Sequence, residues 1–223
     1  VVALLVAMAL PRKRSTQNEE QGLQKMSESK GFLSNWKEVI QNREVLVASA
    51  VESAIYYTFG AFEFFLALYA KSVGLNEFLI GVIAGLQLVM VVVSKPLMGW
   101  VSDRIGRRTP IIIGLIVAGV PLIVASLATN FVELIVVSVT YGLGFSLVTS
   151  STVSLVSDLA KKELYGASMG FLSTIMDVGQ TAGPIITGFI LSSVGFSGAF
   201  VALGGILIVF NIFFSVATRA EMS

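Results

Sequence analysis

The 223-residue sequence contains no cysteine and no histidine. The first absence excludes disulfide bonds, and the two together exclude zinc sites of the usual kind, so we expect no metal centre. Without histidine, carboxylates must bind and release any protons that are transferred near neutral pH. A glycine-rich phosphate loop ending in Gly-Lys-Ser/Thr is also missing, and we predict neither a cofactor nor an enzymatic activity.

Charged residues are few, and the sequence contains long apolar runs. Charged residues make up 13% of the sequence and hydrophobic residues 55%, with a mean hydropathy of +0.84. Six runs reach the length that crosses a bilayer, and they predict helices because a span must satisfy its own backbone hydrogen bonds. They lie at about 45–70, 79–101, 110–129, 131–157, 166–192 and 197–218. The net charge of +1 gives no reason to expect nucleic acid as a partner.

These runs divide the chain into four parts. Residues 1–10 are apolar but too short to span, and we expect the end of a helix whose start precedes Val1. Residues 11–44 predict a polar linker with a short interfacial helix around Trp36. Residues 45–218 hold the six-helix bundle, which makes the protein an all-α membrane protein, and residues 219–223 form a tail.

The basic residues fall on one side of this topology. Of the fifteen lysines and arginines, thirteen lie in the linker, in the loops after the second and fourth spans, or at the C-terminal end. Only Lys71 lies on the opposite side. Lys95 lies within a span, where snorkelling towards the nearer interface is the favoured interpretation and pairing with an acid of another helix is the alternative. Positive residues concentrate on the cytoplasmic face. We therefore predict a multi-pass protein of the cell membrane with its linker and both ends in the cytoplasm.

The loop after the second span, within "GWVSDRIGRRTP", contains an acid that membrane topology alone does not explain. The positive-inside rule explains the arginines but not an acid at the end of a helix, where the dipole disfavours it. This acid needs an arginine or the start of another helix as a partner. The spaced residues are Gly99, Asp103, Arg104, Gly106, Arg107 and Arg108.

This spacing resembles the loop signature of the major facilitator superfamily, and six spans after a long polar linker resemble its C-terminal half. The resemblance covers essentially the whole chain and implies one half of a twelve-helix transporter fold, with the N-terminal six-helix half of the same protein as its partner. It also implies that the loop is a cytoplasmic latch, engaged in one transport state and released in the other.

A second pattern lies on the fifth span, in "GFLSTIMDVGQTAGPIITG". It resembles the glycine-rich motif of proton-linked drug antiporters, although Thr187 stands where that motif has glycine and the motif belongs to helix five of that family. Ordinary close packing of two helices at small residues, with a bend at proline, is an equally good interpretation. The residues concerned are Gly170, Gly179, Gly183, Pro184 and Gly188.

Three acids lie inside spans, where acids usually face a cavity or a partner. Glu52 and Glu63 are eleven residues apart, close to three helical turns, so they share one face with Tyr56 between them. Asp177 lies near the middle of the fifth span, at the depth where transporters bind substrate. A structural ion pair or hydrogen bond inside the bundle is the alternative.

The resemblance adds three cavity candidates, Gln87, Tyr141 and Gln180, because in the family the corresponding helices line the cavity. Together these residues predict secondary transport of a small molecule through the lipid bilayer by alternating access, coupled to protons. The glycine-proline pattern favours efflux of amphipathic compounds. Uptake of a sugar, carboxylate or other nutrient remains the alternative. A channel is less favoured because no loop resembles a selectivity filter.

Overall fold

A computed structural model describes residues 36–219. The interpretations of residues 1–10, 11–35 and 220–223 lie outside the described residues. Within the described range every regular element is helical, beginning with residues 36–41. The all-α prediction is therefore confirmed.

Four long helices follow one another with short connections. They are α1 (Arg43–Ser72), α2 (Glu77–Ile105), α3 (Arg108–Val124) and α4 (Phe131–Leu159). A 3₁₀ turn, Ala125–Leu127, extends α3, and another, Lys162–Leu164, leads into the last helical stretch. All four are long and apolar enough to cross a membrane, and their limits agree with the predicted spans to within a few residues.

The last helical stretch, Tyr165–Arg219, has 55 residues but is not one straight rod. A straight helix of that length would measure about 80 Å, more than twice the hydrocarbon thickness of about 30 Å. Gly195 interrupts it with φ 68° and ψ −175°, a conformation that glycine adopts without strain. We call residues 165–194 α5 and residues 196–219 α6, which correspond to the fifth and sixth predicted spans.

Asparagine side chains start three of the helices. Asn42 accepts hydrogen bonds from the backbone of Glu44 and Val45, and Asn76 accepts one from Leu79. Asn130 begins α4 in the same way, with its side chain accepting from the backbone N–H of Glu133. Asparagine is among the preferred N-cap residues because its side chain satisfies backbone donors that a helix start leaves free.

The centre of the bundle is α1, which packs against α4, α5 and α6. Phe62 of α1 is fully buried between Tyr141 of α4 and Phe200 of α6, with ring centroids at 4.8 and 6.0 Å. Helix α4 in turn packs against α2 and α3, and α3 packs against α6. The position of α1 therefore determines where most side chains of the interior meet.

Helix α5 approaches α1 closely at two glycines of the predicted pattern. A Cβ atom at Gly179 would collide with the carbonyl oxygen of Ser53, and one at Gly183 with that of Tyr57. By contrast, Gly170 has no described neighbour within 4 Å of such an atom, and Gly188 has only an ordinary contact with a phenylalanine side chain. Small-residue packing therefore accounts for the two central glycines.

Adding a methyl group at either central glycine should separate α1 from α5. We expect Gly179→Ala and Gly183→Ala each to destabilise the protein by about 1–3 kcal/mol, the usual range for overpacking. Thermal unfolding of the purified protein in detergent measures the loss.

Gly170→Ala is the matched control on the same helix. Its methyl group has open space, and alanine favours helix over glycine by about 1 kcal/mol, so the melting temperature should stay constant or rise. An equal loss in all three variants would contradict close packing as the reason for the central glycines.

Candidate functional site

The charged loop is shorter than the sequence suggests. Helix α2 continues to Ile105, so Asp103 and Arg104 lie in its last turn. Only Gly106 and Arg107 connect α2 to α3. Gly106 makes the turn with φ 87°, whereas a Cβ atom at Gly99 would have no described neighbour within 4 Å.

Arg107 connects the two acids at this end of the bundle. Its guanidinium donates hydrogen bonds to Asp103 in the preceding turn and, at 2.8 Å, to Asp158 near the end of α4. The hydrogen bond to Asp158, aided by Asp103, raises the pKa of Arg107 above its ordinary value. The predicted need of Asp103 for an arginine is therefore met by the loop itself, and the contact joins α2 to α4.

The other two arginines of the loop make different contacts. Arg104 lies over the ring of Trp100, 3.9 Å from its centroid. Arg108 donates a hydrogen bond of 2.8 Å to Glu44 at the start of α1 and one of 3.3 Å to the carbonyl oxygen of Thr218 near the end of α6. The loop thus contacts α1, α4 and α6, all at the end of the bundle that carries most of the positive charge.

Glu52 is enclosed by the bundle. Its side chain is 1% exposed, and it accepts a hydrogen bond from the hydroxyl of Thr152 on α4. Lys95 on α2 attracts it electrostatically, but no ion pair within 4 Å joins the two among the described residues. A buried charge with one neutral hydrogen-bond partner inside a span is an expensive arrangement.

Glu63 lies three turns away on α1, but its surroundings differ. It is exposed on the surface of this half and lines a small cavity of about 80 Å³ with Gln87 of α2. Gln87 is 2% exposed, and its amide has no hydrogen-bond partner among the described residues. Tyr141 is fully buried and shares a hydrogen bond of 3.1 Å with Thr58, so it belongs to the packed interior.

Asp177 and Gln180 of α5 are exposed on the surface of this half. Tyr56, half-buried on α1, lies within electrostatic range of both Asp177 and Glu52. The seven predicted cavity residues therefore differ in their solvent exposure. Asp177, Gln180 and Glu63 face outwards, Tyr56 lies at the boundary, and the other three are buried.

Two further residues belong to this region although the sequence interpretation did not include them. The ammonium group of Lys95 lies 5.9 Å from the ring centroid of Phe145 on α4. This ring stacks on Phe59 at 4.3 Å. The charge of Lys95 within an apolar run is the one signal in the sequence, but neither snorkelling nor pairing with an acid predicts a contact with an aromatic ring. Phe145 carries no sequence signal of its own, because fifteen phenylalanines are present.

A larger cleft of about 470 Å³ opens between α1, α5 and α6. Its lining is apolar apart from two serines and a tyrosine, and it includes Leu46, Tyr57, Phe171 and Phe210. None of the three intramembrane acids lines it. The titratable groups therefore identify the region around Glu52, rather than this cleft, as the candidate site.

The contact between Thr152 and Glu52 should contribute measurably to stability. Thr152→Val keeps the shape of the side chain but leaves the enclosed carboxyl group without its partner, which should destabilise the protein by about 1–3 kcal/mol. Thr152→Ser retains the hydroxyl group and should lose much less. Thermal unfolding in detergent distinguishes the two variants, and equal losses would show that packing of the methyl group matters instead.

Comparison with known proteins agrees with this architecture. The sequence pattern of the Major Facilitator Superfamily matches residues 49–222. The quinolone resistance protein NorA of Staphylococcus aureus is 27% identical over 124 residues, which cover 56% of this chain and 32% of that protein. The multidrug resistance protein MdtG of Klebsiella pneumoniae is 24% identical over 181 residues, covering 79% of this chain and 44% of that protein.

The chain spans less than half the length of these curated relatives. The family match, in contrast, begins within α1 and extends through α6. On this match, and on the six apolar helices that agree with it, the chain is a multi-pass membrane protein and belongs to the Major Facilitator Superfamily.

Proposed function

We propose that this chain forms the C-terminal six-helix half of a secondary active transporter that moves a small molecule by alternating access. The observation that carries the proposal is Glu52, a carboxyl group enclosed within a membrane-spanning bundle and bound by a neighbouring helix. Ionisable groups inside a bilayer are rare, and they mark substrate, ion or proton pathways.

The partner in this proposal is an N-terminal six-helix half of the same protein. Transporters of this kind bind substrate near the bilayer midplane between two repeats that rock against each other. The lengths of NorA and MdtG leave room for such a half. Residues 1–10 would end its last helix, residues 11–44 would link the halves, and residues 219–223 would form a cytoplasmic tail.

Protons are the proposed coupling ion. In a sequence without histidine, Glu52, Glu63 and Asp177 are the groups within the spans that can carry a proton near neutral pH. They lie on α1 and α5, which contact each other at Gly179 and Gly183. Motion between these helices or against the other half would change the surroundings of all three acids.

Efflux is the proposed direction of transport, and amphipathic compounds are the proposed substrates. Both relatives are named as resistance proteins, and the glycine-proline pattern of α5 resembles that of drug antiporters. Uptake of a nutrient is the competing proposal. Screening charged polar and amphipathic ligands for binding distinguishes them, because preferential binding of polar nutrients would favour uptake.

The proton role predicts the effect of neutralising each acid. We expect at least one of Glu52→Gln, Glu63→Gln and Asp177→Asn to abolish proton-driven movement of an amphipathic dye by the full-length transporter in liposomes. Glu77→Gln is the matched control, because Glu77 is a largely exposed acid at the start of α2. Unchanged coupling in all three variants would remove the proton role from this half.

The loop predicts a second effect on transport. Exposed ion pairs contribute about 0–1 kcal/mol, so Asp103→Asn and Asp158→Asn should barely change the melting temperature. If Asp103 is part of a latch, Asp103→Asn should nevertheless change the transport rate while membrane insertion stays intact. Lys161→Gln, which breaks the exposed pair with Glu38, is the control. Lost insertion of Asp103→Asn would reduce the motif to a structural turn.

A further inference from the structure

The cleft between α1, α5 and α6 has the size and the lining of a site for a small uncharged molecule. Its volume of about 470 Å³ falls in the usual range for ligand pockets, about 300–1,000 Å³. Among the described residues, no acidic or basic side chain lines it. Leu46 is exposed, and Ser53, Tyr57 and Phe210 are half-buried, so the cleft is open at the surface of the bundle.

The cleft lies in the part of the bundle nearest the basic loop. Leu46 and Tyr57 are about 5 and 21 Å from the start of α1, at 1.5 Å per residue. Ile175 is about 15 Å from the start of α5, and Phe210 is about 14 Å from the end of α6. Because the hydrocarbon layer is about 30 Å thick, these depths place the cleft where a molecule dissolved in the bilayer can reach it.

One wall of the cleft carries a line of hydroxyl groups. Ser49, Ser53 and Tyr57 follow one another at intervals of four residues, so they share one face of α1. Ser49 is 1% exposed, and its hydroxyl has no hydrogen-bond partner among the described residues. Ser154 of α4, by contrast, donates to a carbonyl oxygen of its own helix. Since a buried hydroxyl without a partner costs free energy, Ser49 favours a ligand that accepts a hydrogen bond.

The other two helices supply an apolar wall. Ile175 of α5 and Ile206 and Phe210 of α6 line the cleft, and all three are half-buried, so a ligand can contact them. Aromatic groups pack favourably against a ring such as that of Phe210 in offset or edge-on arrangements. A molecule with an apolar ring system and one acceptor atom therefore matches both walls.

We propose that this cleft binds an uncharged aromatic molecule that carries a hydrogen-bond acceptor, such as a ketone oxygen, and that enters from the bilayer. The hydroxyl of Ser49 donates to the acceptor, and the apolar wall contacts the rings. None of the three intramembrane acids lines the cleft, so this site is separate from the region around Glu52. The inference goes beyond the proposed function, because binding here needs neither proton coupling nor movement between two halves.

Photolabelling of the full-length transporter in liposomes tests the site. Benzophenone is an uncharged diaryl ketone that reacts with nearby C–H bonds on illumination, and 4-benzoylbenzoate and 4-benzoylbenzylammonium are its charged analogues. Probe concentrations are expressed per lipid, because all three probes partition into the bilayer. We expect benzophenone adducts, located by peptide mass spectrometry, to saturate and to concentrate on residues 46–57, 171–175 and 206–210. Either charged analogue should label these segments about tenfold less, because an unpaired charge is disfavoured in an apolar cleft.

Removing the buried hydroxyl separates binding from stability. Ser49→Ala should raise the half-saturating concentration of benzophenone about fivefold, the usual worth of one hydrogen bond. The melting temperature without ligand should stay unchanged, because this hydroxyl has no partner in the protein to lose. Ser193→Ala is the matched control. Ser193 is an exposed serine near the other end of α5 that donates to a carbonyl oxygen of its own helix, and its loss should not affect labelling of the cleft.

Filling the cleft is an independent variant. Ala50 lines the cleft and is half-buried, so the ring of Ala50→Phe has room to occupy the space of the ligand. Saturable labelling of the three segments should then be lost, while scattered labelling of the lipid-facing surface persists. If Ala50→Phe lowers the melting temperature as well, Ser49→Ala still decides the outcome.

The proposal is overturned if labelling of wild type is spread over the exposed apolar surface without saturation, which would mean that lipid chains fill the cleft. It is also overturned if a charged analogue labels the cleft as well as benzophenone does, or if Ser49→Ala binds as tightly as wild type. Labelling needs no proton gradient. Failure here would therefore leave proton-driven transport to be judged by the acid variants, and failure of those variants would leave the labelling result standing.

Discussion

The close contact between α1 and α5 supports the rest of the structure. At Gly179 and Gly183 no side chain separates the two helices, and the backbone carbonyls of Ser53 and Tyr57 occupy the space a methyl group would need. In a bilayer, helices gain little from hiding apolar surface, so close van der Waals packing at small residues has a larger share in holding them together. This contact fixes α1, which carries Glu52, Tyr56, Phe59 and Glu63.

Charged side chains occur both at the loop end of the bundle and in its interior, and water screens them to different extents in the two places. At the loop end, Arg107 and Arg108 join the ends of α2, α4, α1 and α6 in partly exposed contacts. Water screens such pairs, so they add little stability and can exchange partners easily. Inside the bundle, Glu52 is enclosed where screening is weak. Its hydrogen bond with Thr152 therefore matters more for stability.

The membrane spans were predictable because each depends on the apolar composition of its own segment. A run of about 20 apolar residues must form a helix in a bilayer, and the structure forms helices at the predicted spans. The break at Gly195 also falls between two predicted spans. The extension of α2 to Ile105, past the predicted limit at residue 101, was less predictable, since polar residues at a helix end do not reveal whether the last turn is formed.

The candidate site was predictable in its residue types but only partly in its arrangement. Intramembrane charge directed attention to Glu52, Glu63 and Asp177, because desolvation makes any such group unusual. Helical spacing placed Glu52 and Glu63 on one face, but it could not show that α4 covers the first and leaves the second exposed. That difference depends on which helix lies alongside each turn of α1.

The all-α membrane class, the six spans, the basic loops and the set of intramembrane acids could all be predicted without the structure. Each of these follows from the composition or periodicity of a short segment, because the bilayer acts on every segment separately. The packing of the helices was needed to show that Arg107 joins Asp103 to Asp158, that Thr152 binds Glu52, and that the Lys95 ammonium group lies over the Phe145 ring. Such contacts join residues up to about a hundred positions apart, and their formation depends on the packing of whole helices.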